Sequence, residues 1–284
     1  MQKVKIMTHS GSDIPFDLAN ELGIVMLPDM VVFGETQYRN NVDIFPEEFY
    51  QRLDGSDVFP TSAHPSLTEF MEGFRAAGDC EQIICIVMSS QMTSTINTAK
   101  IAAQMMEEEG FGPKIHVYDS QQVSWGLGLA VMDAARMARD GADAAQILAY
   151  LDDVVPRIGV YFVMQSLKYA HKGGRIGAIR AVTADVLGVK PLLRFRDGTV
   201  SDISVNRRFS DGIQAIFKKY KLFAGDDPEV LVFHACNEPD ARKLQSMIEE
   251  YNPNAKVSIR WVGPVVGIYT GVGCVGISFK EKAR

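Results

Sequence analysis

Two hydroxyl-rich loops are the parts of this 284-residue chain whose residue types best suit chemistry. The first covers residues 59–66 (FPTSAHPS) and the second residues 88–95 (MSSQMTST). Each precedes a helical pattern, and the second follows the buried-strand pattern of residues 83–87. In an open α/β sheet, ligands bind beyond the carboxyl ends of strands, where helix N-termini offer N–H groups to anions. Because neither loop has a lysine, an arginine or an obvious base, both favour holding an anion over transforming it.

Helix capping explains only part of this hydroxyl content. Ser66 and Glu69 fit a capping box, so that Thr61 and Ser62 are spare hydroxyls. In the second loop one cap is sufficient, but residues 89–95 hold five hydroxyl side chains. The excess favours a ligand-binding role for both loops.

Composition and motifs exclude several classes of protein. The hydrophobic fraction of 46% and the charged fraction of 23% are typical of a soluble globular chain. A net charge of −6 argues against nucleic-acid binding. Four cysteines without a CxxC pair favour a reduced, cytoplasmic protein, and neither a signal peptide nor a membrane span is expected. The standard catalytic and phosphate-binding motifs are absent, and we predict no metal and no cofactor. The five histidines are scattered, and no pairing can be read from their positions.

The order of elements predicts an α/β protein with two domains. Strand patterns at residues 3–7, 24–32, 82–88 and 114–118 alternate with helical patterns, which indicates a mainly parallel sheet flanked by helices. The second half has strands near 161–164, 229–234, 256–262 and 273–279, and a hairpin at 190–205 with an Asp197-Gly198 turn. A glycine-rich segment at 263–271 leads into the last strand. We expect an N-terminal α/β domain at residues 1–158 and a C-terminal α+β domain at 159–284.

Seven short motifs occur in the order found in the DegV family, which this chain resembles over nearly its whole length. They are Ser12-Asp13-Ile14-Pro15, Pro60-Thr61-Ser62 with Pro65-Ser66, Ser89-Ser90 with Thr95, Asp119-Ser120 with Ser124 and Gly126-Leu127-Gly128, Gly173-Gly174-Arg175-Ile176, Lys190-Pro191 with Asp197-Gly198, and Gly263-Pro264-Val265 with Thr270-Gly271. Each motif is short, and their shared order carries the resemblance.

The resemblance implies a non-catalytic, two-domain fatty-acid-binding protein that is the acyl-carrier partner of a bacterial fatty acid kinase. The lipid would lie between the domains and exchange through transient membrane contact. The carboxylate would be held by Thr61 and Thr93, with Ser62 and the Ser94 backbone nearby. Further ligand contacts are expected from the side chains of Ser90, Tyr269 and Thr270. Two arginines would contact the charge or face the partner, and these are Arg175 and Arg207.

The chain departs from the family pattern at three positions of this predicted site. His9 stands where the family usually has aspartate, Ser94 where it has glycine, and Tyr269 where it has histidine. Tyr269 can donate a hydrogen bond but carries no charge at neutral pH.

Two other functions remain open from the sequence. The chain could be an enzyme that acts on a small anionic or phosphorylated substrate in the interdomain cleft, with Arg175, Lys190 or Arg207 stabilising charge. An enclosed polar cleft with a convergent histidine or carboxylate would favour that enzyme, and a long apolar tunnel would favour the lipid binder. A structural or regulatory interaction module is the third alternative, and a missing cavity would indicate it.

Overall fold

A computed structural model describes residues 2–175 and 188–283 of the chain. Its first sheet has four parallel strands in the order β2-β1-β6-β7, as the strand–helix alternation predicted. The strands are β1 (Gln2–His9), β2 (Val25–Leu27), β6 (Cys80–Val87) and β7 (Lys114–Asp119). Because β1 and β6 are central, the loops that follow them meet at one edge of the sheet.

A small antiparallel sheet, ordered β4-β3-β5, stands beside the first. Its strands are β3 (Met30–Phe33), β4 (Thr36–Arg39) and β5 (Thr61–Ala63). The single strand predicted at residues 24–32 is therefore wrong, since the chain breaks after β2 and enters another sheet. Pro28 lacks the N–H that a continuous ladder needs, and Asp29 turns its carboxylate toward the loop after β1.

Six helices belong to this part of the chain. They are α1 (Phe16–Glu21), α2 (Pro46–Gly55), α3 (Leu67–Ala76), α4 (Thr95–Glu108), α5 (Ser124–Arg139) and α6 (Ala144–Val154). The predicted capping box is confirmed at α3, where the Ser66 hydroxyl accepts from the Glu69 N–H and the Glu69 carboxylate accepts from the Ser66 N–H. Helix α2, for which the sequence predicted no element, begins at Pro46 and buries Phe49, Tyr50 and Leu53.

The second half of the chain forms a mixed six-stranded sheet in the order β10-β9-β8-β13-β11-β12. The strands are β8 (Ile158–Val163), β9 (Lys190–Arg196), β10 (Thr199–Asn206), β11 (Glu229–His234), β12 (Lys256–Trp261) and β13 (Val275–Lys280). All pairs are antiparallel except β11 with β12. The predicted hairpin is confirmed, with positive φ at both Asp197 (51°) and Gly198 (81°), as a tight two-residue turn requires.

The helices of this half are α7 (Lys168–Lys172), α8 (Phe209–Phe223), α9 (Glu238–Tyr251) and α10 (Pro264–Thr270). Helix α10 occupies the glycine-rich segment for which the sequence predicted only a connection, and Pro264 lies in its first turn. The Gly173–Ile176 motif lies only partly within the described residues, because Ile176 and the following Gly177 fall outside them.

Helix α5 joins the two larger sheets into one core. It packs against β1 on one side and against β8 and β13 on the other, and Trp125 is buried at its start. The Trp125 indole N–H donates to the Trp261 carbonyl oxygen at 2.7 Å, so that the contact reaches the far edge of the six-stranded sheet. The parallel sheet is built from residues before 120 and the six-stranded sheet from residues after 157. The domain division at residues 158/159 itself stays a prediction.

Among the described residues, no helix combines the length and the apolar character that crossing a membrane requires.

Candidate functional site

A cavity of about 450 Å³ lies where the loops after β1 and β6 approach the six-stranded sheet. This volume is within the usual range for small-molecule sites, roughly 300–1,000 Å³. The apolar part of its wall includes Val160, Phe162, Met164, Leu193, Phe195 and Val200. Both halves of the chain therefore contribute to a single cavity.

Alternate residues of β8 and its continuation give the cavity its length. Val160, Phe162 and Met164 all line it, as expected for every second side chain of an extended segment. At about 3.3 Å per residue, these three side chains cover roughly 13 Å of wall. Val160 pairs with Phe195 on β9, whereas Met164 lies toward α7. The apolar wall is therefore an elongated stripe and suits an extended hydrocarbon chain.

A group of polar side chains lines the cavity where α10, β5 and the start of α4 come together. Its members are Ser62, His64, Thr93, Ser94, Thr95, Arg175, Tyr269 and Thr270. The Ser62 and Tyr269 hydroxyls lie 3.2 Å apart, and the Arg175 guanidinium lies over the Tyr269 ring at 5.3 Å. The hydroxyls of Thr93 and Thr95 lie 2.8 Å apart. This arrangement offers several hydroxyl donors and one cation to an anionic head group.

The structure brings together six of the nine side chains that the sequence selected. Ser62, Thr93, Ser94, Arg175, Tyr269 and Thr270 line the cavity. Thr61, Ser90 and Arg207 do not, and all three are exposed.

Strand geometry explains the position of Thr61. Thr61 and Ser62 are neighbours on β5, so their side chains project from opposite faces of that strand. Of these two residues, Ser62 lines the cavity and Thr61 does not. Lys190, which the enzyme alternative invoked, donates from Nζ to the Gln165 carbonyl oxygen at 2.9 Å and does not line the cavity.

His64 and Ser94 form a pair that the sequence did not reveal. His64 Nδ1 lies 2.9 Å from the Pro65 carbonyl oxygen, and a carbonyl can only accept, so this nitrogen carries the proton. His64 Nε2 is then an acceptor, and the Ser94 hydroxyl donates to it across 3.2 Å. The sequence showed no obvious base in the two loops, and the structure brings the His64 imidazole within hydrogen-bonding distance of Ser94. Thirty residues separate the pair, and only the packing of two separate sheets brings the loops together.

A buried histidine–aspartate pair lies deeper in the cavity wall. His9 Nδ1 lies 2.9 Å from an Asp29 carboxylate oxygen, and His9 Nε2 accepts the Met88 N–H at 3.1 Å. These partners fix the imidazole as the neutral form with its proton on Nδ1. Asp29 also accepts from the Ser10 hydroxyl and the Gly11 N–H. Sequence reasoning missed Asp29, although the Pro28-Asp29 break within an apolar run was a signal.

Asp13 and Ser124 form a second buried polar contact beside the cavity, which Ser124 lines. The Ser124 hydroxyl donates to the Asp13 carboxylate, and both residues have positive φ (61° and 51°). Burial raises the pKa of Asp13 to about 7, although the hydrogen bond from Ser124 opposes the shift. The loop after β1 therefore holds a carboxyl group that titrates near neutrality.

The tip of the β9–β10 hairpin is fastened to the second hydroxyl loop. The Ser89 hydroxyl donates to the Gly198 carbonyl oxygen at 2.8 Å, and the Gln91 side-chain amide donates to the Asp197 carbonyl oxygen at 2.7 Å. Glycine suits this position because its φ is 81°, and a Cβ atom there would also lie 2.5 Å from the Gln91 amide nitrogen. We call this four-residue contact the hairpin latch.

Comparison with known proteins finds relatives over nearly the whole chain. A family model described as an uncharacterised protein of the DegV family matches residues 3–282. A DegV domain-containing protein from Halalkalibacterium halodurans is 31% identical over 284 residues, covering 98% of this chain and 99% of the relative.

Solved structures with the same fold include two described by the lipids they bind. A DegV family protein from Thermus thermophilus, described as binding fatty acid, has 26% identity and a TM-score of 0.88, with 98% of this chain and 99% of that chain covered. A stearic-acid-binding protein from Eubacterium ventriosum has 25% identity and a TM-score of 0.84, with 98% of each chain covered. The mixed α/β architecture is thus shared over the whole length.

Proposed function

This chain belongs to the DegV family, and we propose that it binds a long-chain fatty acid in the cavity between its parallel and six-stranded sheets. The hydrocarbon tail would lie along the stripe of Val160, Phe162 and Met164. The carboxylate would lie among the hydroxyls of Ser62, Thr93 and Tyr269. The observation that carries the proposal is this single elongated cavity, apolar along its length and hydroxyl-rich where α10, β5 and α4 meet.

The energetics of burial support a fatty acid as ligand. About 14 buried methylenes at ~0.8 kcal/mol each contribute roughly 11 kcal/mol. Association costs about 4–15 kcal/mol, so tight binding requires a preformed cavity. The carboxylate must keep its hydrogen bonds, because an unpaired buried charge costs more than the tail contributes. The hydroxyl side chains that line the cavity and the nearby Arg175 guanidinium meet this requirement.

The remaining residues of the predicted site differ in whether they line the cavity. Ser94 and Thr270 line the cavity within reach of the head group, so we keep them as ligand contacts. For Thr61 and Ser90, contact with the carboxylate would require rearrangement of exposed side chains. Arg207 follows β10 on the exposed surface, where a partner can reach it.

We also propose that the bound acid is presented to a fatty acid kinase, which would form the acyl phosphate. Arg175 supports this proposal because it is exposed while its guanidinium lies over the Tyr269 ring beside the head-group region. An incoming anionic phosphate donor would meet a cation there. In this scheme the chain holds the acyl group and the kinase supplies the phosphoryl chemistry.

Lipid identification is the direct test. The purified protein would be extracted with organic solvent and the extract analysed by mass spectrometry, with protein denatured and delipidated beforehand as the blank. We expect one fatty acid per chain, dominated by long acyl lengths. Refolded or delipidated protein that fails to take up added palmitate would contradict the proposal. Saturable binding of small phosphorylated metabolites, with no lipid, would instead favour the enzyme alternative.

A further inference from the structure

The Ser94 hydroxyl lies where a helix cap is expected but does not act as a cap. Ser94 is the N-cap residue of α4, and serine at that position normally accepts from an N–H in the first helical turn. No such hydrogen bond forms, and the hydroxyl donates to His64 Nε2 instead. The helix therefore gives no structural reason for this hydroxyl to point toward the imidazole.

The geometry of the pair is that of an activated nucleophile. A serine hydroxyl becomes nucleophilic when an adjacent base accepts its proton and a third group orients that base. His64 Nε2 is the acceptor at 3.2 Å, and the Pro65 carbonyl oxygen holds the opposite ring nitrogen at 2.9 Å. This distance lies at the upper end of the range for a base and a nucleophile, which is common in unliganded sites.

The surroundings of the pair suit an acyl carbonyl. Ser94 and His64 both line the cavity, beside the proposed position of the fatty acid carboxylate. Ser94 is exposed, so a leaving group can extend into solvent while the acyl chain remains inside. The N-terminus of the 14-residue helix α4 begins next to Ser94, and Thr93 and Arg175 line the same cavity, so a partial positive charge, a hydroxyl and a cation are available to a developing oxyanion.

We infer that Ser94 and His64 form a nucleophile–base pair that hydrolyses long-chain acyl esters or thioesters bound in this cavity. Ser94 Oγ forms a bond to the acyl carbonyl carbon while its proton passes to His64 Nε2. The bond from that carbon to the leaving oxygen or sulfur breaks, and the leaving group takes the proton. Water then attacks the acyl-Ser94 ester with His64 as base, which releases the fatty acid and restores the hydroxyl. The inference rests on the proposed function, because it requires the acyl chain in the same cavity.

Acyl transfer to the protein can be measured directly. The protein would be incubated with p-nitrophenyl palmitate, with palmitoyl coenzyme A and with a long-chain alkyl fluorophosphonate, and its intact mass recorded. We expect a covalent adduct that maps to the peptide containing Ser94, together with turnover of at least one of the two acyl substrates. The aryl ester and the thioester arms distinguish which leaving group the site accepts.

Variants separate this chemistry from binding. We expect Ser94→Ala to abolish both adduct and turnover, and His64→Gln to lower turnover at least 100-fold, as loss of a general base does. Ser246→Ala removes an exposed serine on α9 and should leave both unchanged. Circular dichroism would verify that each variant folds.

Two results would overturn the inference. One is wild-type protein that binds palmitate but forms no adduct and turns over neither substrate, which leaves the proposed function intact. The other is an adduct that persists in Ser94→Ala. Failure to bind palmitate at all would instead contradict the proposed function.

Discussion

The Ser89 hydroxyl donates a 2.8 Å hydrogen bond to the carbonyl oxygen of Gly198, and so ties the loop after β6 to the tip of the β9–β10 hairpin. Ser89 is fully buried, and its oxygen also accepts the Gln91 N–H at 3.2 Å. The bond joins the hydroxyl-bearing loop to a sheet built from the other half of the chain. This hydrogen bond therefore links two parts of the chain that both contribute residues to the cavity wall.

Removing this hydroxyl should weaken the fold measurably. We expect Ser89→Ala to lower the free energy of unfolding by about 1–2 kcal/mol, because buried partners lose a donor and an acceptor. Urea denaturation would measure the change. Ser90→Ala, one residue along and exposed, is the matched control and should change stability by less than about 0.5 kcal/mol. Equal stability of the two variants would show that the Ser89–Gly198 hydrogen bond contributes nothing.

The head-group assignment predicts a loss of affinity without a loss of fold. A hydrogen bond to a charged group contributes about 1.5–3 kcal/mol, so Ser62→Ala with Thr93→Ala should raise the palmitate Kd at least 100-fold. Isothermal titration with delipidated protein would measure it. Thr61→Ala, on the same strand, tests the sequence prediction that Thr61 contacts the carboxylate. Unchanged palmitate affinity would assign that contact to Ser62, and reduced affinity would show that Thr61 also contributes. Unchanged affinity in the double variant would remove the assignment.

Filling the apolar stripe should select against long acyl chains. Val200 lines the cavity near Phe195, its partner across the hairpin. We expect Val200→Phe to weaken stearate binding more than laurate binding, because the added ring occupies space needed by distal methylenes. Val205→Phe, on the same strand but 49% exposed, is the control and should leave the selectivity unchanged. Equal weakening for both acids would place Val200 away from the tail.

The raised pKa of buried Asp13 predicts that the free energy of unfolding depends on pH. Its pKa is raised from 3.8 to about 7, so the folded state holds a proton that the unfolded state loses from about pH 4 upward. Stability from this group is therefore present below pH 4 and is lost as the pH rises to about 7. The loss amounts to at most about 4 kcal/mol.

Asp13→Asn should abolish this dependence, and asparagine tolerates the positive φ at that position. We expect the variant to be more stable than the wild type at pH 8 and to show a flatter stability profile between pH 4 and 7. Asp17→Asn changes an exposed carboxylate and should keep the wild-type slope. Thermal denaturation across this pH range would measure both, and parallel profiles for Asp13→Asn and wild type would contradict the prediction.

Lys280 connects the end of β13 to two carboxylates. Its Nζ lies 2.6 Å from Asp133 and 2.7 Å from Asp227, and the side chain is 9% exposed. Burial opposes the charge, but the attraction of both carboxylates still raises the pKa of Lys280. Lys280→Met should lower the free energy of unfolding by about 3 kcal/mol, because it removes the nearer cation from buried Asp133, which keeps Arg136 at 3.2 Å. Lys282→Met, on an exposed neighbour, should cost little, and a similar loss in both variants would contradict this reading.

Hydrophobic pattern predicted the large elements of the fold because their signals are local. The strand–helix alternation of the first half and the Asp197-Gly198 hairpin are confirmed. Helix α2 was missed because its apolar residues Phe49, Tyr50 and Leu53 stand among charged ones. Their burial depends on packing against α10, which is more than 200 residues away in sequence.

Residue types predicted most of the polar side chains that line the cavity, but not which of them are paired. Hydroxyl excess identified both loops, yet a three-residue strand gives no sequence signal for its phase, so Thr61 and Ser62 could not be distinguished. The His64–Ser94 contact spans two loops from separate sheets, and nothing local to either residue encodes it. His9 stands where the family usually has aspartate, and its buried partner Asp29 is twenty residues away, so the sequence could not pair the two.

Strand β13 lies between β8 and β11, although it is made after both. During synthesis, the two flanking parts of the six-stranded sheet leave the ribosome with facing edges unpaired. They cannot join until the chain has been made as far as residue 280. Unpaired edges are prone to wrong association, so this interval is where chaperones would have most effect on the yield of folded protein. The six-stranded sheet that carries β8 and β9, and with it this wall of the cavity, is therefore completed only after β13 has been made.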